Sequence, residues 1–172
     1  PGSSMHIHQS VLDNKTGKNI FAGKDGKPSK LFLNHIGGLQ RYLAAALPFC
    51  APNVNSYRRL VPESDAPTNV HWAIDNRTVS LRVPSSNPVN LRVENRVPGA
   101  DANPYLAFAA SLACGYLGMV ERIKPSEAVT GSAYRYAHTL PINLDDALDK
   151  LNYTKSLKQV MGEKFVTAYQ GV

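Results

Sequence analysis

The residues best suited to chemistry are three charged side chains at alternate positions of one short segment. Arg92, Glu94 and Arg96 are each two residues apart. Residues two apart on an extended strand point to the same face, so the spacing predicts one carboxylate between two guanidinium groups. Positive charge on both sides keeps such a carboxylate ionised. Arginines with few carboxylates nearby indicate an anionic ligand, because the planar guanidinium binds phosphates and carboxylates in pairs of hydrogen bonds.

Two histidines near the start of the chain have the same spacing. His6 and His8 would lie on one face of a strand, where imidazoles bind a metal ion or a phosphate. On the spacing alone, a hydrogen-bonded surface pair is the more common explanation. His6 together with Glu94 would supply only two ligands, so a Mg²⁺ or Mn²⁺ site would need further oxygens from water, phosphates or other segments.

Further arginines lie between these two segments. Arg58 and Arg59 fall in the irregular, proline-containing stretch 51–67, and loops of this length in a compact domain are often functional. Arg77 and Arg82 are five residues apart and would face opposite ways on a regular strand. Both reach one site only if a bulge or bend separates them.

The composition predicts a globular domain with a real core. The chain has 172 residues, 43% of them hydrophobic, and a formal net charge of +6. This charge would permit nucleic-acid binding, but the arginines are spread along predicted strands and not gathered in runs. Two cysteines form no disulfide framework, so a reducing cytoplasm is expected. The longest apolar run, residues 105–120, is too short to predict a membrane span.

The hydrophobic pattern predicts strands followed by helices, which is typical of an α+β fold with an antiparallel sheet. The predicted strands cover residues 5–12, 70–84 and 90–97, and residues 13–29 are predicted to form an exposed loop. The predicted helices cover residues 34–47, 104–123, 144–151 and 156–169. The second of these begins with Asn103 as N-cap and Pro104 at the first helical position.

Six motifs in this order resemble the catalytic domain of the glutamine synthetase family. They are Pro1-Gly2-Ser3-Ser4-Met5-His6-Ile7-His8-Gln9-Ser10, Asn55-Ser56-Tyr57-Arg58-Arg59-Leu60-Val61-Pro62, Asn76-Arg77, Arg82-Val83-Pro84, Arg92-Val93-Glu94-Asn95-Arg96 and Asn103-Pro104-Tyr105-Leu106. Each motif alone is modest, but the ordered set is specific. The resemblance is strong over residues 1–125 and looser over the helical tail.

The resemblance implies a reaction and a role for each matching residue. In that family ATP phosphorylates the γ-carboxylate of glutamate, and ammonia or an amine then attacks the γ-glutamyl phosphate. The implied roles are metal ligation by His6 and Glu94, ATP contact by His8 and Ser10, glutamate binding by Gly2, Arg59 and Arg96, and neutralisation of the transferring phosphoryl group by Arg77 and Arg82, with Arg92 beside them. Arg77, Arg96 and the flap-loop residue Asp65 would act directly in catalysis.

Three departures from the family pattern concern the acceptor amine. Pro1 stands where the family has Asn, Val89 where it has Lys, and Asp65 where the flap loop usually presents a Glu. Residues 72–77 look more like the γ-glutamylpolyamine synthetase branch than like ammonia-using enzymes. A polyamine or other primary amine is therefore favoured over ammonia.

These features predict that residues 1–172 form the C-terminal part of the catalytic domain of a glutamate–amine ligase that uses ATP and Mg²⁺ or Mn²⁺. The N-terminal domain and the remaining metal carboxylates are expected upstream of Pro1, so this fragment alone should be inactive. The full-length protein is expected to form a ring of identical subunits. Two alternatives are a non-catalytic nucleotide- or anion-binding module and a basic nucleic-acid-binding domain, and neither explains Glu94 among arginines as well.

Overall fold

The computed structural model describes residues 3–171, so Gly2 lies outside the described residues. The strands are β1 (Ile7–Gln9), β2 (Trp72–Ile74), β3 (Leu81–Val83) and β4 (Val93–Asn95). The α-helices are α1 (Lys30–Tyr42), α2 (Leu47–Cys50), α3 (Pro104–Val120), α4 (Leu144–Tyr153), α5 (Lys155–Met161) and α6 (Glu163–Gln170). Short 3₁₀ helices cover Val54–Arg59, Pro88–Asn90 and Ala133–Arg135. No helix in this part of the chain is long and apolar enough to cross a membrane.

The four strands form one sheet in the order β1-β4-β3-β2. β4 is antiparallel to β1 and β3, as predicted, whereas β2 and β3 are parallel, so the α+β class is confirmed with a mixed sheet. The continuous strand predicted for residues 70–84 is interrupted by a turn. The Asn76 side chain accepts hydrogen bonds from the Thr78 backbone and hydroxyl, and Asp75 takes a left-handed φ of 48°. Side chains of this type favour turns over strands.

Helix α1 is shifted by several residues from the predicted range 34–47. It begins at Lys30 because Ser29 caps it, with Oγ accepting from the Phe32 amide, and it ends at Tyr42. Pro48 lies in the separate short helix α2. The start of α3 is confirmed, since the Asn103 side chain accepts from the amides of Tyr105 and Leu106.

Helices α1 and α3 cross at glycines, and this close contact is the main packing of the domain. A Cβ atom on Gly38 would lie 2.2 Å from the Cys114 carbonyl oxygen, and one on Gly118 would lie 2.2 Å from that of Asn34. His35 packs beside Gly115 and Phe21, fully buried. Only glycine permits backbones to approach this closely.

Helix α3 also covers one face of the sheet. The Ser111 hydroxyl donates to Gln9 Oε1 at 2.7 Å and accepts from Asn95 Nδ2 at 3.0 Å. Because side chains alternate along a strand, the neighbouring residues His8 and Glu94 lie on the opposite face of the sheet. The packing of α3 thus leaves that opposite face free for a site.

The C-terminal helices differ from prediction in one respect. Helix α4 covers the predicted range 144–151 and continues to Tyr153. The single helix predicted over residues 156–169 is divided into α5 and α6 at Gly162, which has a φ of 95°. A left-handed residue cannot continue a right-handed helix, so the chain turns here.

Candidate active site

Glu94 is the centre of a charged cluster on the uncovered face of the sheet. Strand register places it directly between His8 on β1 and Arg82 on β3. Glu94 Oε2 accepts from Arg82 Nη1 at 2.8 Å, and Oε1 accepts from Arg96 Nη1 at 3.0 Å. His6 Nδ1 lies 2.9 Å from the same Oε1. One buried carboxylate therefore joins residues from three segments far apart in the sequence.

The two guanidinium groups at Glu94 are those of Arg82 and Arg96, not the predicted pair Arg92 and Arg96. Arg92 precedes β4 and turns away, donating from Nε to His8 Nδ1 at 3.2 Å and from Nη1 to the Asn90 carbonyl at 3.1 Å. The two-residue spacing correctly places Arg96 on the same face as Glu94. The cation opposite Glu94 on the neighbouring strand is determined by the register of strand pairing. Arg82 occupies that position because β3 pairs with β4.

The Glu94 carboxyl is held ionised. Burial by itself raises its pKa, but the hydrogen bond from Arg82 and the positive charge of Arg96 outweigh burial, and the net pKa is lowered. The prediction of an ionised carboxylate agrees with this direction. The same site lowers the pKa of the His6 imidazole, chiefly by burial and then by the charge of Arg96, against the attraction of Glu94. His6 is thus kept neutral, which is the form of imidazole that binds metals.

His6 and Glu94 fit as two neighbouring ligands of one divalent cation. Two ligands at right angles and about 2.1 Å from a metal ion lie about 3.0 Å apart. The separation of 2.9 Å between His6 Nδ1 and Glu94 Oε1 matches this value. No group of three or more His, Cys, Asp or Glu able to hold a metal ion occurs within residues 3–171. The pair by itself supplies two ligands, fewer than a divalent cation requires.

Arg59 lies at one end of this face. It donates from Nη2 to the Val97 carbonyl and from Nη1 to Ser4 Oγ at 3.3 Å, so it joins the segment before β1 to the segment after β4. Its charge is close enough to His6 to contribute to the lowered pKa of that imidazole, after burial and Arg96. Arg58, by contrast, is exposed.

Asp65 belongs to an exposed loop whose base is fixed beside Arg59. The Ser64 hydroxyl contacts the carbonyls of Arg59 at 2.8 Å and Val61 at 2.6 Å. Glu63 and Asp65 both have φ values of 61°, in the left-handed region that side chains rarely adopt. Ser64 thus ties the loop that carries Asp65 to the backbone of Arg59, the arginine that the resemblance assigns to substrate binding.

Two residues of this region were missed from the sequence. Tyr134 Oη donates to the Ala66 carbonyl at 3.1 Å and pins the end of the Asp65 loop. Burial raises the pKa of Tyr134, with a further contribution from Asp65 that Arg96 opposes. Asp75 Oδ1 accepts from Arg82 Nη2 at 2.9 Å and so holds the far side of that guanidinium. Tyr134 belongs to no motif, and Asp75 lies in the stretch 72–77 without a role assigned to it from the sequence; only the folded chain brings them here.

Other predicted site residues are less closely tied to the cluster. Ser10 is exposed just after β1. Arg77 is exposed in the turn between β2 and β3, and within residues 3–171 it has no hydrogen bond or ion pair to Glu94. This turn separates Arg77 from Arg82, which is the condition under which both arginines could reach one site. Gly2 cannot be placed, since it lies outside the described residues.

The uncovered face of the sheet therefore combines an ionised carboxylate, a neutral imidazole and several guanidinium groups. Such a combination is suited to binding anionic substrates. Comparison with known proteins gives the family. The family model described as glutamine synthetase, catalytic domain, matches residues 1–172. The chain belongs to the glutamine synthetase family.

Named relatives are similar over nearly the whole chain. Glutamine synthetase of Pyrococcus woesei is 37% identical over 174 residues, which cover 96% of this chain and 39% of the relative. Gamma-glutamylputrescine synthetase of Escherichia coli (strain K12) is 38% identical over 169 residues, covering 98% of this chain and 36% of the relative. Type-1 glutamine synthetase 2 of Dictyostelium discoideum is 37% identical, with 96% of this chain and 33% of the relative covered. The chain thus spans between a third and two fifths of the length of these relatives.

Proposed function

We propose that this chain is part of an ATP-dependent ligase that joins an amine to the γ-carboxylate of glutamate through γ-glutamyl phosphate. The observation that carries the proposal is the Glu94 cluster, in which one carboxylate binds Arg82, Arg96 and His6 on a single face. Phosphoryl transfer requires positioned cations around developing negative charge and little covalent work by the protein. Family membership supplies the reaction class, and the cluster supplies the groups that this reaction needs.

In this proposal each part of the face has a separate task. His6 and Glu94 would hold Mg²⁺ or Mn²⁺, which neutralises charge on the ATP phosphates when bound. His8 and Ser10 would contact ATP, and Arg92 would orient His8 through the bond at Nδ1. Arg82 would face the transferring phosphoryl group while Asp75 and Glu94 fix its guanidinium from two sides. Such fixed donors stabilise developing charge without reorganising during the reaction.

Two further arginines and the turn residue Arg77 complete the assignment. Arg59 and Arg96 would bind the glutamate carboxylate, with Gly2 against the same substrate. Arg77 would approach the phosphoryl group from the exposed turn. Arg96 also donates a hydrogen bond to Glu94. The arginine proposed to bind glutamate is therefore bonded directly to the carboxylate proposed to bind the metal ion.

The outer edge of β1 is where we expect the remaining metal ligands to be added. Within the described part of the chain, β1 pairs with β4 on one side only, and its other edge borders a cavity of about 410 Å³ lined also by Phe108 and Leu112 of α3. Both apolar side chains are exposed. A strand added at this edge would point alternate residues toward His6 and His8. We infer that residues of the longer protein complete the site here, so that residues 1–172 alone are inactive.

The acceptor is proposed to be a primary amine or polyamine in preference to ammonia. Asp65 is one methylene shorter than the Glu usual at this position, which leaves more room beneath the loop for a longer nucleophile. Glu63 and Asp65 together provide negative charge that would attract a second ammonium group. The named relatives include enzymes of both kinds at nearly equal identity, so similarity alone does not choose between them.

The metal assignment is tested by Glu94→Gln and His6→Ala in the full-length protein. Each should reduce turnover by orders of magnitude and raise the Mg²⁺ concentration needed for half-maximal activity. His138→Gln is the matched control, because His138 is exposed and shares no bond with the cluster among residues 3–171. Near-normal activity of both variants at low Mg²⁺ would refute the assignment. Nucleotide affinity that does not respond to Mg²⁺ would instead favour a non-catalytic binding module.

The need for the longer protein is tested with the 172-residue chain itself. Release of phosphate from ATP with glutamate and an amine should not exceed that of a heat-treated sample. Activity above this background would contradict the inference that ligands are missing. Light scattering of the full-length protein should give the mass of a closed ring of identical subunits, and a monomeric mass would reject that part of the proposal.

The acceptor is tested by comparing kcat/KM of the full-length protein for ammonium and putrescine at saturating glutamate and ATP. Putrescine should give the higher value. The Asp65→Glu variant should shift the ratio toward ammonium, while Glu63→Asp, at the neighbouring left-handed position, should leave it nearly unchanged. A wild-type ratio in favour of ammonium would reject the polyamine assignment.

A further inference from the structure

A groove beside α1 contains a cavity that is separate from the Glu94 cluster. It has a volume of about 780 Å³, within the usual range for small-molecule sites. Its apolar wall includes Leu31 and Leu33 from the start of α1, Trp72 from β2 and Met119 from α3. We call this feature the Trp72 groove.

The Trp72 groove opens on the helical side of the sheet. Trp72 is paired in register with Leu81, which is fully buried in the core, whereas the next residue along β3 is Arg82 of the charged cluster. Because neighbouring residues of a strand point to opposite faces, Trp72 lies on the face opposite Glu94. The groove is therefore separate from the proposed reaction site and shares none of its residues.

The walls of the groove are fixed by hydrogen bonds that do not involve a ligand. Trp72 Nε1 donates to the Ser126 carbonyl at 2.7 Å, and Asn34 Nδ2 donates to the Ile123 carbonyl at 2.8 Å. Gln40 holds Ser126 in both directions, accepting from its amide at 2.9 Å and donating to its Oγ at 2.9 Å. The segment 122–127, which forms one wall of the groove, is thus hydrogen-bonded to α1 through Asn34 and Gln40. Ligand binding would therefore require little reorganisation of the groove.

The rim of the groove carries an excess of positive charge. Lys30, Arg122 and Lys124 line it, against the single carboxylate of Glu127. Within the described ranges, none of these three cations forms an ion pair. Unpaired cations around a preformed apolar cavity complement a ligand with an apolar body and an anionic group.

We propose that the Trp72 groove is a second ligand site, which binds an organic anion with an aromatic or aliphatic body. Its apolar wall would hold the body of the ligand, and Lys30, Arg122 and Lys124 would hold the anionic group. The class of ligand follows from this combination, since a free inorganic anion would leave the apolar wall exposed and a neutral apolar molecule would leave the cations unused.

Trp72 provides a specific readout because it is the only tryptophan in the chain. In the 172-residue protein labelled with ¹⁵N, one indole N–H signal reports on the groove. Titration with naphthalene-2-sulfonate should move this signal in a saturable manner, with half-saturation below about 1 mM. The neutral analogue naphthalene-2-sulfonamide should bind at least about tenfold more weakly, since it lacks the charge that the three cations recognise.

Variants locate the binding and test the role of charge. Arg122→Gln and Lys124→Gln should each weaken sulfonate binding about three- to fivefold without changing that of the sulfonamide. Lys164→Gln on α6, which does not line the groove, is the matched control and should have no effect. Equilibrium dialysis of the full-length protein with the same sulfonate should give the same order of affinities.

Several outcomes would overturn the proposal. These are an indole signal unmoved at 5 mM sulfonate, equal binding of sulfonate and sulfonamide, or equal losses in the Arg122→Gln and Lys164→Gln variants. Binding to the 172-residue protein but not to the full-length protein would show that other protein segments cover the groove, and this would also reject a ligand site.

Discussion

Removing the charge of Glu94 should destabilise the fold because Glu94 compensates two arginines. Arg96 is only 7% exposed, and its Nη1 bonds to Glu94 Oε1. Loss of one partner from a buried ion pair costs about 3–5 kcal/mol, because the other charge stays buried without compensation. Arg82 keeps Asp75 as a second partner. We therefore expect Glu94→Gln to lower the free energy of unfolding by about 3 kcal/mol, the lower end of that range.

The assay is urea unfolding of the 172-residue protein at pH 7, followed by circular dichroism. Asp75→Asn is the matched control, because Asp75 binds the same Arg82 but is largely exposed, and its loss should be far smaller. Replacing Arg96 by Met in the Glu94→Gln background should restore part of the loss, since it removes the uncompensated charge. The reasoning would be refuted if Glu94→Gln and Asp75→Asn were equally destabilising, or if the second substitution made the loss larger.

The remaining stability predictions concern the helical core. Gly38→Ala should cost about 2 kcal/mol or more in urea unfolding, because the new Cβ would meet the Cys114 carbonyl, whereas Gly131→Ala should cost only about 1 kcal/mol from its left-handed φ. Equal losses would show that the helix crossing is not the cause. Burial lowers the pKa of His35 from 6.5 to about 4, so its stabilising contribution is complete above pH 6.5 and is lost as pH falls toward 4. Between pH 7.5 and 4.5 this amounts to about 2.5 kcal/mol. A His35→Gln variant should lose less stability than wild type over this interval. His138→Gln should change the profile far less, because His138 is exposed and only partial burial lowers its pKa. Parallel pH profiles for all three proteins would contradict the assignment.

The sequence predicts the charged face of the sheet well because strand periodicity is local information. The alternation at residues 92–96 and at residues 6–8 correctly places Glu94, Arg96 and His6 on one side. The identity of the second arginine at Glu94 could not be predicted in this way. It depends on β3 pairing with β4 in one register, and that pairing joins segments separated by an irregular stretch and a 3₁₀ helix.

The same distinction explains the errors in the helices. Asn103 and Pro104 form a local start signal, and α3 begins where this signal predicts. The start of α1 was placed four residues late because Ser29 follows a polar, glycine-rich loop and was not recognised as its cap. The roles of Tyr134 and Asp75 could not be predicted, because they arise only from contacts with Ala66 and Arg82 in the folded chain.

The pairing of β1 with β4 has a consequence for the order in which the chain acquires its site. Residues 7–9 pair with residues 93–95, more than 80 positions later in the sequence. Closing so large a loop is entropically costly and slow compared with forming a helix or a turn. During synthesis His6 leaves the ribosome long before Glu94 does. Its imidazole is therefore exposed to solvent until the Glu94 carboxylate becomes available. Assembly of the charged face is consequently a late event in the life of the nascent chain, and any protein truncated before residue 96 would contain the histidines but not the site.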